Sequence, residues 1–309
     1  MSKVKIFSGS DSFYLAEKIA KEYGKTLGGI VLERFSDGEI STYFKESVRG
    51  CDVFLIGSTR PPADNMLELL LMIDAAKRAS AKYVTVVLPY YGYARQDRKD
   101  KPRVCIAAKL VANLLSASGA DRIMTCDLHA GQIQGFFDFP VDHLSSSYVF
   151  VPYIQSLKLE NLLFASPDVG GTKRTLAYAR HFGVDMVICD KHRARANEIA
   201  SLQLIGNVEG MDVVLIDDLI DTGGTIAKAS HEIKRQGAKS VRAICAHPVL
   251  SGNAYENIEN SALEELVVTD TIPLNGTSSK IKILSVAELF AHSIRKTHSN
   301  ESISSLFIH

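Results

Sequence analysis

The chain carries no surplus of charge, with 35 basic residues set against 35 acidic ones over 309 positions. That balance removes the electrostatic case for nucleic acid or an anionic membrane as a partner, so any affinity for phosphate must come from local sites. No apolar run approaches the roughly 20 residues needed to span a bilayer. The N-terminal MSKVKIFSGSDS lacks the apolar core of a secretory signal. Cys51, Cys105, Cys126, Cys189 and Cys245 are scattered, odd in number and without a Cys-x-x-Cys pair. Such thiols belong to a reducing compartment. A soluble, cytoplasmic protein is expected.

The length suggests about two domains, each able to bury a substantial core. Short β-rich runs alternate with periodic segments along the whole chain. Strands are predicted over 53–59, 83–91, 122–129, 162–168, 186–191, 213–218 and 241–248. Helices are predicted over 65–80, 106–118, 172–182 and 225–237. Alternation of this kind argues for α/β architecture with mainly parallel sheets, whose ligands gather at the C-terminal strand ends. Asp127, His129, Asp168, Lys191, Asp217 and Asp218 all fall at such ends. An internal echo points to two related halves. GCDVFLIGSTR (50–60) aligns with GMDVVLIDDLI (210–220), and AKYVTVV (81–87) with AKSVRAI (238–244). The boundary is placed to give domains 1–146 and 147–309.

The most specific stretch is DDLIDTGGT (217–225), which follows the apolar run Val213–Ile216. Gly223 and Gly224 let backbone N–H groups close around an anion. Thr222 and Thr225 add hydroxyls, and a helix beginning near Thr225 adds the positive end of its dipole. It is not a Walker A loop, because no Gly-Lys-Thr/Ser follows. Asp217, Asp218 and Asp221 would repel a bare phosphate. They suit a ligand that brings hydroxyls or a bound cation beside its phosphate, as a sugar phosphate does. Three further segments carry weaker signals. RFSDGEI (34–40) is a polar turn between strand-like runs, and PYYGYARQDRKDKPR (89–103) is a basic loop after a strand. CDLHAGQIQGFF (126–137) sets Asp127 and His129 at i and i+2, on one face of a strand end.

The 217–225 stretch resembles the 5-phosphoribosyl-diphosphate loop of type I phosphoribosyltransferases, a loop shared by base-salvage transferases, sensors and synthetases. RFSDGEI, STRPPADN, PYYGYARQDRK, DLHAGQIQGFFD, SPDVGG, IDDLIDTGGT and HPVLSG together resemble, in order and over essentially the whole chain, the class I ribose-phosphate pyrophosphokinases. The resemblance implies an α/β fold of two related type I phosphoribosyltransferase-like domains, each a mainly parallel sheet flanked by helices. It implies transfer of the pyrophosphoryl group of MgATP to the 1-hydroxyl of ribose 5-phosphate. Phe35, Asp37, Gly38, Glu39, Arg95, Gln96 and Asp97 would then bind ATP, and His129 and Asp168 would hold Mg²⁺. Lys191 and Arg193 would be the catalytic cations. Ribose 5-phosphate would meet Arg193, Asp217, Asp218, Asp221, Thr222, Gly223, Gly224 and Thr225. Ser47, Arg49, Ser80, Ser302, Ser304 and Ser305 resemble a regulatory site for phosphate and ADP between the subunits of a homohexamer. Cys105 and Ala196 stand where the family usually has proline, His192 interrupts a usual basic triplet, and Ala200 replaces an expected acid.

Overall fold

The computed structural model describes residues 3–192 and 201–306. The chain forms two units, one of residues 3–145 completed by Ala287–Leu306, the other Ser146–Val286. In the first unit β1 (Val4–Ser8) leads to α1 (Phe13–Tyr23) and to the strands β2 (Ile30–Arg34) and β3 (Ile40–Phe44). There follow β4 (Asp52–Ile56), α2 (Asp64–Arg78), β5 (Tyr83–Leu88), α3 (Ala107–Ala117), β6 (Arg122–Cys126) and β7 (Val141–Leu144). Five strands form a sheet in the order β1-β4-β5-β6-β7, and every neighbouring pair is parallel. β2 and β3 make a separate antiparallel pair.

The local reasons are ordinary ones. The sequences VFLI and VTVVL are buried along their length, as strands covered on both faces by helices must be. Leu69, Met72, Ile73 and Ala76 recur at helical spacing on α2 and are buried with Val53, Leu55, Val84 and Val86.

The second unit contains α4 (Ser147–Ser156), β8 (Leu162–Ser166), α5 (Thr172–Phe182), β9 (Met186–His192), β10 (Ser201–Ile205) and β11 (Asp212–Ile220). It continues with α6 (Gly224–Arg235), β12 (Ser240–Pro248), α7 (Ala254–Glu259), β13 (Glu265–Thr269) and β14 (Ile281–Leu284). Its sheet runs β10-β9-β8-β11-β12-β13-β14. Only the β9–β10 pairing is antiparallel among the described pairs. The last helix, α8 (Ala287–His298), returns to the first unit. There Arg295 donates to the carbonyl of Glu22 at 3.1 Å, and His298 Nδ1 lies 2.9 Å from Asp52.

The two sheets share one plan. In chain order, β1, β4, β5, β6 and β7 correspond to β8, β11, β12, β13 and β14, and the pair β2–β3 corresponds to β9–β10. Both sequence echoes fall on equivalent strands, β4 with β11 and β5 with β12. The α/β class and the mainly parallel sheets read from the sequence are present in both units. One local expectation fails. β6 stops at Cys126, and Asp127 turns into the left-handed region at φ 38. The alternation that would place Asp127 and His129 on one strand face does not reach them.

Candidate functional site

In the second unit the chain winds in opposite directions from β8 and from β11. It reaches β9 on one side and β12 on the other, which makes their junction a topological switch point with a crevice at the carboxyl ends. The register shows the opening directly. β11 pairs with β8 only as far as Leu215↔Ala165, while its pairing with β12 continues to Ile220↔Pro248. Asp217 and Asp218 therefore sit on a strand that has lost one neighbour.

The loop that follows is held from behind. Leu250 and Ser251 donate their N–H groups to the carbonyls of Ile220 and Asp221, at 3.1 and 3.0 Å. The Ser251 hydroxyl bonds the Asp221 carboxylate, and Asn257 Nδ2 donates to the carbonyl of Thr222 at 2.8 Å. Gly223 caps α6 at φ 74, in the left-handed region. A Cβ there would stand 3.2 Å from the carbonyl oxygen of Ala254. This glycine is thus required by its own backbone and by what lies behind it, rather than by the space in front. Gly224 is different: a Cβ on it would meet nothing closer than the Thr222 hydroxyl at 3.9 Å. The open face of the cradle is at Gly224, where α6 begins.

Asp168 lies two residues beyond β8 in the loop on the other side of the crevice. Its carboxylate accepts the N–H of Gly171 at 3.0 Å, which fixes its rotamer. Sequence reasoning missed Arg174, one turn into α5. Its Nη1 lies 3.0 Å from Asp218 Oδ1 and 4.0 Å from Asp217 Oδ1. Asp218 is buried and spoken for, whereas Asp217 remains about one-fifth exposed. The adjacent acids, given equal roles from the sequence, are unequal in the structure. Burial first, and the Asp218 charge second, raise the Asp217 carboxyl to about 8, against the opposing pull of Arg174. Cys245, paired with Asp217 in the sheet, is fully buried. Burial and the same two acids push its thiol well up, so it is no nucleophile.

Lys191 is the penultimate residue of β9, opposite Leu202 of β10. Arg193, Ala196 and Ala200 lie outside the described residues.

The corresponding junction in the first unit, between the edge strand β1 and β4, is filled by the chain itself. Arg60 makes a two-pronged contact with Asp11. The buried carboxylate of Glu68 accepts the N–H of Ser10 at 2.7 Å and its hydroxyl at 2.9 Å. An internal anion thus occupies the position where the second unit keeps an open cradle. Candidate residues cluster instead after β5 and β6. Gly92 donates its N–H to Thr59 Oγ1 at 2.7 Å, anchoring the start of the basic loop, and Gln96 donates its N–H to the Tyr93 carbonyl at 3.0 Å. Gln132 Nε2 donates to Asp97 Oδ2 at 3.1 Å, joining the loop after β5 to the loop that carries the exposed His129. Cys105 is exposed, and its Sγ contacts Gln96 Oε1 at 3.4 Å.

The tip of the β2–β3 hairpin forms its own turn. Phe35 N–H donates to the Glu39 carbonyl at 2.9 Å and Glu39 N–H to Asp37 Oδ1 at 3.1 Å, with Gly38 at φ 97. Phe35 is 58% exposed, a free aromatic face. Arg49 gathers two of the proposed effector serines: its N–H faces Ser47 Oγ at 3.4 Å and its Nη1 faces Ser80 Oγ at 3.3 Å. The hydroxyls of Ser302 and Ser304 are 2.8 Å apart, in a turn that also holds Ser305.

Among the described residues no group of three or more His, Cys, Asp and Glu side chains is arranged to hold a metal by itself. No described helix is long and apolar enough to cross a membrane.

An α/β chain with a doubled sheet plan and one open anion cradle at a switch point belongs among the ligand-binding α/β enzymes. The comparisons narrow this. Residues 4–119 match the N-terminal domain of ribose phosphate pyrophosphokinase, and residues 181–308 match the phosphoribosyl synthetase-associated domain. A ribose-phosphate pyrophosphokinase of Porphyromonas gingivalis is 57% identical over 98% of this chain and 97% of its own length. One of Campylobacter jejuni is 54% identical over the full length of both chains. The crystal structure of phosphoribosylpyrophosphate synthetase from Mycobacterium smegmatis superposes with a TM-score of 0.91 at 39% identity, covering 97% of this chain and 100% of that one. The chain belongs to the ribose-phosphate pyrophosphokinase family, a family of enzymes.

Proposed function

We propose that the protein transfers the pyrophosphoryl group of MgATP to ribose 5-phosphate, giving 5-phosphoribosyl 1-diphosphate and AMP. The observation that carries this is the open cradle at 217–225, complete with its acids and glycines, in a chain related to these enzymes over its whole length. In this reading Asp221, Thr222, Gly223, Gly224 and Thr225 hold the 5-phosphate on loop N–H groups and the α6 dipole. Asp217 accepts from the ribose hydroxyls. Asp218, tied to Arg174, supports the floor beneath them. Phe35 stacks on adenine, Asp37, Gly38 and Glu39 meet the nucleoside, and Arg95, Gln96 and Asp97 complete the nucleotide site.

Magnesium fits the donor set. Asp168 and Asp217 are hard oxygen donors, and their mutual repulsion contributes to the raised Asp217 carboxyl. With no group of three such ligands among the described residues, the ion would rely on water and substrate phosphates, as Mg²⁺ commonly does. Asp168 is the residue of the second unit proposed to hold it and His129 the candidate of the first, and the bound ion would neutralise phosphate charge.

The 1-hydroxyl attacks the β-phosphorus and its proton passes to solvent. The bond from the β-phosphorus to the oxygen bridging it to the α-phosphorus breaks, and AMP leaves with that oxygen. Such a transfer depends on positioning and on neutralising the equatorial oxygens, the role assigned to Lys191 and Arg193. The basic loop 92–103 would exclude water during the transfer; the second basic segment, 191–195, continues outside the described residues.

A homohexamer, inorganic phosphate and ADP as effectors at the Ser47–Arg49–Ser80 and Ser302–Ser305 serines, and a cytoplasmic location complete the reading. AMP formation from ATP, measured with and without ribose 5-phosphate, tests the central claim. Ribose-dependent AMP is the expected result, and ADP or free phosphate in its place would refute it.

A further inference from the structure

His143 of β7 lies beside Thr125 of β6 in the sheet register. None of the motifs used above includes it. Its Nε2 sits 2.9 Å from the backbone nitrogen of Leu128. Leu128 is 5% exposed, so its N–H has no water to fall back on and needs a partner inside the protein. A backbone N–H can only donate. The ring nitrogen facing it must therefore present a lone pair, which fixes His143 as a neutral imidazole with its proton on Nδ1.

The peptide held in this way is the one immediately before His129. The preceding N–H, of Asp127, is bonded to the Leu144 carbonyl at 3.0 Å, so β7 grips two successive peptides of a segment that has already left β6. Farther along, the Gln134 side chain lies 3.3 Å from His143 Nδ1 and donates to the carbonyl of Gly131 at 2.9 Å. Gln134 Nε2 and the Nδ1–H of His143 are both donors, so that contact is no hydrogen bond, and the 3-10 turn Gly131–Phe136 is closed by Gln134 itself. The turn carries Gln132, which donates to Asp97.

We propose that His143 is a positioning residue for the nucleotide side of the site. One neutral imidazole holds the Leu128 peptide and thereby sets His129, the next residue. The inference rests on the reading of His129 given under Proposed function. His143 itself touches no reacting atom.

The test compares His143→Phe, which keeps a planar ring but removes the acceptor, with His143→Gln, whose amide oxygen restores an acceptor near the Nε2 position. In full-length protein, His143→Phe is expected to raise KM for MgATP by about tenfold, as the loss of one buried hydrogen bond allows. The magnesium concentration for half-maximal rate should rise with it, while KM for ribose 5-phosphate stays within about twofold. His143→Gln should recover most of the change. Amide exchange in the peptide spanning 127–134 should quicken in His143→Phe and not in His143→Gln. If His143→Phe does not fold, His143→Ala serves for the same comparison. The proposal is overturned if both KM values rise together, if MgATP KM stays within twofold, or if the glutamine variant behaves like the phenylalanine one. A wild-type protein that forms no AMP in response to ribose 5-phosphate would instead defeat the functional reading, and amide exchange would still report on the clamp.

Discussion

The unequal pair Asp217 and Asp218 makes pH the most informative variable at the residue scale. The Asp217 carboxyl is raised in the folded protein, to about 8, so the folded form binds this proton more tightly than the unfolded chain does. Its contribution to stability is complete below the ordinary carboxylate range of about 4 and declines as pH rises through about 8. Binding has the opposite sign. A ligand that uses the anion, whether a sugar hydroxyl donor or a cation, must displace the proton and should bind more tightly as pH rises towards 8. Calorimetric titration of Mg²⁺ with ribose 5-phosphate at pH 7, in two buffers of different ionisation enthalpy, should show proton release that is absent in Asp217→Asn. Equal proton uptake or release by both proteins would contradict it. Arg174→Ala removes the cation 3.0 Å from a buried carboxylate. Up to about 3 kcal/mol of stability should be lost, with part recovered in Arg174→Lys, as urea unfolding would measure. Gly223→Val forces a β-branched residue to φ 74 and its Cβ towards the Ala254 carbonyl. Strain of about 1–3 kcal/mol should fall on the cradle, abolishing calorimetric binding of ribose 5-phosphate while ATP still binds.

At the scale of elements, the strand–loop–helix units were legible because parallel strands buried on both faces read as unbroken apolar runs. VFLI, VTVVL and VVLI stand out, and the α5 range was met at both ends. The edge strands were not. IKIL of β14 and SLQLI of β10 are short and mixed, and only their neighbours in the sheet make them strands. The cradle at 217–225 was readable from its glycines and acids. Its supports, Arg174, Ser251 and Asn257, lie on other elements and carry no spacing signal. The same holds for Thr59, which anchors the loop after β5. A Cβ on Gly92 would stand 2.5 Å from the Thr59 carbonyl oxygen, too close for any contact between those atoms. Gly92→Ala must therefore separate the ends of β4 and β5, at a cost of about 1–3 kcal/mol, and displace Arg95, Gln96 and Asp97 just downstream. Steady-state kinetics should show KM for MgATP rising at least fivefold, a shift of about 1 kcal/mol, with KM for ribose 5-phosphate nearly unchanged. An unchanged MgATP KM in a stably folded variant would detach the 95–97 segment from nucleotide binding.

For the whole molecule, the doubled sheet plan raises a question of stoichiometry. The β1–β4 junction of the first unit corresponds in chain order to the β8–β11 switch point of the second, although β1 is an edge strand with β2–β3 in a separate sheet, and a ligand crevice at each is the simplest expectation from the doubled plan. The chain has kept one and closed the other. Glu68 supplies the first unit with its own carboxylate, and the Arg60–Asp11 pair neutralises a cation that an open site would offer to phosphate. The loop there, STRPPADN, has no paired glycines, so its backbone cannot form the cradle seen at Gly223 and Gly224. The residues proposed to act in the first unit accordingly lie one and two strands along, at the ends of β5 and β6. One sugar phosphate per chain is then the expected limit. Titration of the folded protein with ribose 5-phosphate in the presence of magnesium should saturate at a single equivalent, and Gly223→Val should reduce that to none. Two equivalents in the wild type, or one surviving in Gly223→Val, would mean that the first unit's crevice opens to ligand despite Glu68. Glu68→Gln would decide between those cases: it keeps the shape of the plug, removes its charge, and should leave the single equivalent unchanged if the closure is as tight as its bonds to Ser10 require.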